Sequence, residues 1–130
     1  MPGFHHVELW VADLAQAREE WGWLLRRVGF TLASEWPEGQ SWEAGGAYLT
    51  FTTSPNVAGS THDRRRPGLN HLAFHGGSPV EVDAIMREAP ENGWRPLYHD
   101  RYPHAGGPDS YAGWLENSAG FKAEVVAYVE

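Results

Sequence analysis

The chain has 130 residues, enough for one domain or for two small modules that share a core. Its formal net charge of −7 disfavours nucleic acids and anionic membranes as partners, and its lack of cysteine excludes disulfides, thiolate metal ligands and cysteine nucleophiles. The N-terminal residues lack the pattern of a secretory signal, and no apolar run is long enough to cross a bilayer, so we expect a cytoplasmic protein.

The first half of the chain predicts a strand, a helix and three further strands. The run 6–11 alternates between polar and apolar residues, as a half-buried strand does. Asp13 is placed to cap a helix whose apolar residues recur at helical spacing as far as Val28. Turn residues at 37–39 and 45–46 then divide the remaining extended segments into three strands.

The second half repeats this order after a linker. Residues 78–81, Ser-Pro-Val-Glu, combine a serine cap, a proline in the first helical position and a glutamate three residues after the cap. Three strands are predicted after this helix, at 94–99, 111–116 and 121–129. The order β-α-β-β-β therefore occurs twice, in 1–58 and 69–130 with a linker at 59–68, which predicts an α+β protein with a mostly antiparallel sheet.

The two modules begin alike, with one histidine at the same point of each first strand. The first begins Phe-His-His-Val-Glu-Leu at residues 4–9, and the second begins Leu-Asn-His-Leu-Ala-Phe at residues 69–74. If the halves face each other, His6 and His71 can converge on one point, which is a common way to assemble a metal site. The alternative for each is a strand histidine with a satisfied hydrogen bond.

Together with three further runs, these openings resemble the vicinal oxygen chelate superfamily, which includes glyoxalase I, bleomycin-resistance proteins, fosfomycin-resistance enzymes and ring-cleaving dioxygenases. The further runs are Val-Ala-Asp-Leu at 11–14, Tyr-Ala-Gly-Trp-Leu-Glu-Asn at 111–117 and Gly-Phe-Lys-Ala-Glu-Val at 120–125. The resemblance covers essentially the whole chain. It implies two tandem β-α-β-β-β modules that form a U-shaped sheet around a cavity, and it is more specific for this fold than for a reaction.

The resemblance also implies one divalent metal ion at the base of the cavity, held by His6, His71 and Glu124. Two imidazoles and one carboxylate suit Fe, Zn, Ni, Mn or Co. Glu124 lies in an otherwise apolar run, where a carboxylate is costly unless it is paired or coordinating; an exposed position on a sheet edge is the alternative. A fourth ligand position falls at Tyr48 or Thr50, where the glyoxalase pattern has a carboxylate or an imidazole instead.

Further candidate residues follow from strand parity and from one loop. Glu8 shares a strand face with His6, and His75 shares one with His71, so each is a candidate base or proton carrier, unless it lies at a rim without chemistry. His104 lies in a loop rich in glycine and proline that either closes over the cavity or simply connects two strands. The candidate substrate-binding residues are Tyr48, Thr50, His104 and Tyr111.

The cluster Arg64-Arg65-Arg66 is the one basic run in an acidic chain. It either attracts an anionic substrate or is a solvated part of the linker, and the second interpretation is favoured.

The leading functional hypothesis is a metal-dependent enzyme that chelates two neighbouring oxygens of a small substrate. Lyase or isomerase chemistry and ring-cleaving dioxygenation are both open. The competing hypothesis is a metal-free protein that sequesters an aromatic or cationic antibiotic, which suits an acidic chain with seven tryptophans. A third is an interaction domain with a vestigial cavity. The resemblance also implies a homodimer, and we expect neither nucleic acid nor membrane as a partner.

Overall fold

The computed structural model describes residues 2–128 and confirms the α+β class. Over this range it contains eight strands and two α-helices. They are β1 (His6–Trp10), α1 (Leu14–Arg27), β2 (Thr31–Trp36), β3 (Gly39–Ala44), β4 (Ala47–Thr52), β5 (Leu72–Gly77), α2 (Pro79–Glu88), β6 (Trp94–Leu97), β7 (Ala112–Asn117) and β8 (Lys122–Ala127), with short 3₁₀ helices at Ala89–Asn92 and His99–Arg101. Among the described residues, neither α-helix has the length and apolar character needed to span a membrane.

The chain divides into two compact units, Met1–Thr61 and His62–Glu130, and the division falls within the predicted linker 59–68. Each unit has one four-stranded sheet, with strand orders β1-β4-β3-β2 and β5-β8-β7-β6. In each sheet the unit's first strand pairs in parallel with its last strand, and the other pairings are antiparallel. The predicted tandem repeat of β-α-β-β-β modules is therefore confirmed.

The predicted signals at both ends of α1 are present. The Asp13 carboxylate accepts a hydrogen bond from the Gln16 backbone N–H at 3.0 Å, which satisfies one of the free donors of the first turn. After the helix, Gly29 has a φ of 92°, which a glycine adopts without steric cost. The helix buries Trp21 completely, and Trp42 of β3 lies 1% exposed against the same helix.

The second helix has the predicted capping box. The Ser78 hydroxyl accepts from the Glu81 backbone N–H at 3.3 Å, and the Ser78 N–H donates to the Glu81 carboxylate at 2.9 Å. Helix α2 then packs closely on the sheet, because a Cβ at Gly76 would lie 2.8 Å from Val82 and 2.3 Å from Val125. Val125 therefore marks the face of this sheet that α2 covers.

Residues that alternate with Val125 form the opposite face, which is polar. We call this surface the polar face of the second sheet. Its polar and aromatic residues are His71, His75, Trp114, Glu116, Lys122 and Glu124, and Ala73, Ala112 and Val126 lie on the same face.

Several predicted strand boundaries differ from the structure, most of them by one residue; three differ by more. The strand predicted for 94–99 ends at Leu97, because Tyr98 has a left-handed conformation, with a φ of 56°, and begins a 3₁₀ turn. β5 begins at Leu72, three residues later than the run that predicted it. β8 ends at Ala127, and Val129, the last residue of the predicted strand, lies outside the described residues.

Replacing Ser78 with alanine removes the side-chain half of the capping box. We expect Ser78→Ala to lower the free energy of unfolding by about 1 kcal/mol. Chemical denaturation followed by circular dichroism measures this change, with Ser60→Ala, an exposed loop substitution, as the control. Equal stability of Ser78→Ala and the wild type would show that the box does not stabilise α2.

Candidate functional site

The second unit brings His71 and Glu124 together on the polar face. Parallel pairing of β5 with β8 sets Ala73 opposite Glu124, so the His71 side chain lies beside the same carboxylate. His71 Nε2 is 3.4 Å from Glu124 Oε1, and the two side chains are 30% and 15% exposed. The pair is therefore half-buried and still accessible.

Asn70 fixes the orientation and tautomer of this imidazole. Its amide nitrogen donates to the Arg64 carbonyl at 3.1 Å, which leaves its oxygen, Oδ1, 2.7 Å from His71 Nδ1. Because Oδ1 only accepts, Nδ1 must carry the hydrogen, and a neutral His71 presents the lone pair of Nε2 to Glu124. Two acceptors facing each other at this distance repel unless a proton or a cation lies between them.

Trp114 lies between this pair and a second group of side chains that the sequence analysis missed. The His71 ring meets the Trp114 ring edge-on, with centroids 5.0 Å apart. The ammonium of Lys122 lies 4.7 Å from the Trp114 ring centroid and donates to the Tyr98 hydroxyl at 2.8 Å. The sequence does carry one signal that points to Lys122: it is the only lysine of the 130 residues, and it interrupts an apolar run.

The surroundings of Tyr98 are cationic. The hydrogen bond from Lys122 holds the pKa of the Tyr98 hydroxyl below its usual range, against the effect of burial. The charges of Arg64 and Arg101 act in the same direction, and the Arg101 guanidinium lies 5.1 Å from the Tyr98 ring centroid. A tyrosine in such a place exchanges its proton more readily than an isolated one.

Glu116 on the same face is held by two guanidinium groups. Burial opposes its ionisation, but hydrogen bonds from Arg64, at 2.9 Å, and from Arg95 outweigh burial and hold the pKa of Glu116 below its usual range. Of the predicted basic cluster, Arg64 is thus in an ion pair on the sheet. Arg65 and Arg66 instead form exposed pairs with Asp63.

The first unit brings four predicted residues into one cleft of about 550 Å³. The parallel register sets His6 opposite Tyr48 and Glu8 opposite Thr50. The cleft is lined by His5, His6, Glu8, Ala33, Ser34, Trp36, Ser41, Tyr48, Thr50 and Thr52. Tyr48 is 38% exposed, whereas the Thr50 hydroxyl is bonded to Ser41 at 2.7 Å, so Tyr48 is the more available of the two for a ligand.

Glu8 is held as a carboxylate by two donors. The Thr52 hydroxyl donates to Glu8 Oε2 at 2.8 Å, and the Trp10 indole N–H donates to the same oxygen at 2.9 Å. These hydrogen bonds, that of Thr52 most strongly, lower the pKa of Glu8 from its usual value. A carboxyl group with a lowered pKa is a weaker base, which suits Glu8 better to binding a donor or cation than to removing a proton.

The remaining predicted residues lie apart from His71 and Glu124. His75 of β5 is exposed on the polar face, four residues after His71 along an extended backbone and therefore about 13 Å away. Tyr111 lies on the α2 side of the sheet, and its hydroxyl donates to Asp83 at 2.7 Å. His104 is bonded through Nδ1 to the Ser110 carbonyl at 2.7 Å, within its own loop.

The loop that precedes β7 is tied to α2 through Asp83. Both Tyr102 and Tyr111 donate to one oxygen of this carboxylate. The two hydrogen bonds lower the pKa of Asp83, that of Tyr102 most strongly, while the pKa values of the two tyrosines are raised. For Tyr102 the principal cause is burial, and for Tyr111 it is the bond to Asp83. This cluster holds the loop and leaves the Tyr111 hydroxyl occupied.

In neither unit, over residues 2–128, do three or more histidine, aspartate or glutamate side chains group closely enough to hold a metal ion. The set His6, His71 and Glu124 therefore stays a prediction. Of its members, the second unit places His71 and Glu124 in contact.

Comparison with known proteins decides the family. The model of the Glyoxalase/Bleomycin resistance protein/Dioxygenase superfamily matches residues 5–112. The chain belongs to this superfamily. An uncharacterised protein of Bacillus subtilis strain 168, YqjT, is 41% identical over 125 residues, which cover 95% of this chain and 97% of YqjT.

Solved structures of superfamily members have the same fold. A crystal structure from Bacillus halodurans, of a protein provisionally named a glyoxalase, is 40% identical with a TM-score of 0.90, covering 96% of this chain and 95% of that one. A glyoxalase/bleomycin resistance protein from Albidiferax ferrireducens T118 has a TM-score of 0.75, with coverage of 97% and 98%. At 22% identity, the second of these similarities is one of fold alone.

The hydrogen bond from Thr52 to Glu8 gives a pH-dependent prediction. Replacing Thr52 with valine removes the donor that lowers the Glu8 pKa most, so we expect that pKa to rise towards its usual value. In the wild type the carboxylate stays charged until the pH falls through its lowered pKa, and in the variant it takes up its proton at higher pH. Carbon-13 NMR of the glutamate carboxyl groups measures both values.

Thr50→Val is the matched control for this prediction. It makes the same substitution on the same strand, but the Thr50 hydroxyl contacts Ser41 and not Glu8. A Glu8 pKa that is equal in the wild type and in Thr52→Val would contradict the assignment of the hydrogen bond.

Proposed function

We propose that the protein is a divalent-metal-dependent enzyme that acts on a small substrate with two neighbouring oxygens. The observation that supports this most is the contact of His71 with Glu124. The contact of Asn70 with Nδ1 leaves Nε2 as the His71 nitrogen that faces the Glu124 carboxylate, 3.4 Å away. A divalent cation bound by both groups relieves the repulsion between these two acceptors, and imidazole and carboxylate are the donors it prefers.

In this proposal His71 and Glu124 are metal ligands, and the family pattern adds His6. Fe, Zn, Ni, Mn and Co all suit two imidazoles and one carboxylate. Such an ion supplies a Lewis acid that polarises the substrate oxygens it binds. Either lyase or isomerase chemistry or ring-cleaving dioxygenation is consistent with that role.

The chain's own residues then have separate tasks. Asn70 holds the His71 ring in the tautomer that leaves Nε2 free, and Trp114 packs against the edge of that ring. Glu8 and His75 are the proposed proton carriers. The lowered pKa of Glu8 makes it the weaker base of the two. His75 lies about 13 Å from His71, so a proton from a substrate bound at His71 would reach His75 through the substrate itself or through water.

A metal-free binding protein is the second candidate, and the cleft of the first unit favours it. This cleft has aromatic side chains, Trp36 and Tyr48, and the ionised carboxylate of Glu8, which are features that suit a cationic or aromatic ligand. Metal binding at His71 and Glu124 separates the two candidates, because a sequestering protein has no need of it.

Metal content tests the proposed ligands directly. We expect the wild type, loaded with Zn²⁺ or Fe²⁺ and then gel-filtered, to retain one ion per chain by elemental analysis. Both His71→Ala and Glu124→Gln should lose the ion, since each removes a ligand. His75→Ala is the matched control, because His75 lies on the same face, four residues further along the chain, and has no ion pair with Glu124 among the described residues.

Retention of metal by both ligand variants would place the ion elsewhere. A wild type that takes up neither ion would overturn the enzyme proposal and favour the binding protein.

Asn70 gives a second test, of the tautomer argument. Replacing Asn70 with alanine frees Nδ1 of His71, so we expect the Kd for Zn²⁺ to rise by about tenfold to hundredfold. Asn70→Asp keeps an acceptor at this point and should restore most of the affinity, while Asn56→Ala, in an exposed loop, should leave it unchanged. Competition with a chromogenic chelator measures each Kd. Equal affinity in Asn70→Ala and the wild type would mean that Asn70 does not control this imidazole.

A further inference from the structure

We propose that Lys122 and Tyr98 form a binding site for the anionic oxygen of a small organic acid, beside His71 and Glu124 on the polar face of the second sheet. The ligand class is a carboxylate or an enolate. The inference rests on the proposed function in one respect, since it takes this ligand to be the substrate of the same site. The anion site itself is defined by residues of the second unit alone.

The first argument is the burial of a cation without a counterion. Lys122 is 8% exposed, yet among the described residues no carboxylate forms an ion pair with it. Its ammonium group has three hydrogens, of which one reaches the Tyr98 hydroxyl, and it otherwise faces the rings of Tyr98 and Trp114 at 4.9 Å and 4.7 Å. Ring faces compensate a buried charge only in part, so an anion placed here would be stabilised.

The second argument is that the neighbouring carboxylates have other partners. Glu116 is the register partner of Lys122 but is bonded to Arg64 and Arg95. Glu124, two residues along β8, is in contact with His71. Lys122 therefore has no carboxylate in direct contact among the described residues, in a chain whose net charge is −7.

The third argument is an unused donor on the neighbouring side chain of Trp114. The indole N–H of Trp114 is buried and has no hydrogen-bond partner among the described residues. A buried donor without an acceptor costs about 1–3 kcal/mol. Lys122 and Tyr98 thus present ammonium and hydroxyl donors beside the Trp114 ring, whose own indole N–H has no acceptor among the described residues.

Trp114 also links this group to the proposed metal ligands. One edge contact joins its ring to His71, with centroids 5.0 Å apart, and the Lys122 ammonium lies 4.7 Å from its centroid. A substrate of a few carbon atoms is long enough to reach from the Lys122 ammonium, past the Trp114 ring, to His71. One oxygen would then lie at Lys122 and Tyr98 while its neighbours lie at His71 and Glu124, so donors fixed in advance would stabilise negative charge on the substrate.

The single lysine allows a direct test with the whole protein. Metal is removed with a chelating resin, so that anion binding is measured without the metal site. Lysine labelled with ¹⁵N at the side chain gives one ammonium signal, that of Lys122, and sodium benzoate is added while this signal is observed. We expect a saturable shift with benzoate and none with benzamide, which has the same shape and no charge.

Variants then assign the site by isothermal titration calorimetry. Lys122→Met should weaken benzoate binding about tenfold or more, and Tyr98→Phe should weaken it severalfold, because hydrogen bonds to a charged group are lost. Lys122→Arg keeps the charge and should retain more affinity than Lys122→Met. Arg65→Met removes one exposed positive charge from the loop and should change nothing.

A Lys122 signal that does not respond to benzoate in the wild type would overturn the proposal, and this measurement needs no variant. The proposal would also be overturned if Arg65→Met and Lys122→Met weakened benzoate binding equally, because the affinity would then depend only on the overall charge of the protein. Because metal is absent, benzoate binding lost in Lys122→Met but kept in His71→Ala supports the anion site whether or not the metal proposal holds. The metal proposal fails separately, if the wild type takes up no ion.

Discussion

Parallel pairing of the first and last strands of each module is the constraint on which the candidate site depends. It places the start of β5 beside β8, and so sets His71 next to Glu124 although they are far apart in sequence. The antiparallel pairing of β7 with β8 then sets Trp114 opposite Glu124. The same parallel pairing in the first unit sets His6 opposite Tyr48. A shift of one residue in any of these registers would turn the polar side chains to the helix side.

The polar face of the second sheet breaks several of the rules that make a sheet stable. Among the described residues, it holds a buried ammonium without a carboxylate partner and an indole N–H without an acceptor. Each feature lowers stability by itself. On the opposite face no buried side-chain donor of the described residues lacks a partner, and Val125 of the sheet and Val82 of α2 pack closely around Gly76. Departures from good packing are thus concentrated on one surface, as is typical of functional sites in proteins.

Local signals in the sequence predicted the elements of the fold well, because those signals act over a few residues. The caps at Asp13 and Ser78 bond to backbone groups three residues away, and the structure has both. Parity assigned Glu8 and Leu9 to opposite faces of β1, and they are exposed and buried as expected. The family itself was also recognisable, because its motifs recur in order along the chain.

What the sequence could not predict depends on pairing between distant elements. Tyr98 was placed in a strand, yet it turns out of β6 in a left-handed conformation and meets Lys122 of β8. Tyr111 was predicted to bind substrate, yet its hydroxyl donates a hydrogen bond to Asp83 of α2, on the other side of the sheet. No local pattern states which helix or strand will lie opposite a given side chain.

The two modules differ in how they hold their matching histidines. His71 is oriented by an amide, a group that does not change its protonation with pH. His6 is oriented by another imidazole, because His5 Nδ1 and His6 Nδ1 lie 2.8 Å apart and one of them must carry the hydrogen while the other lacks it. Of the two matching histidines, one is therefore oriented by a group whose donor and acceptor atoms are fixed, and the other by a neighbour with which it must share a single hydrogen.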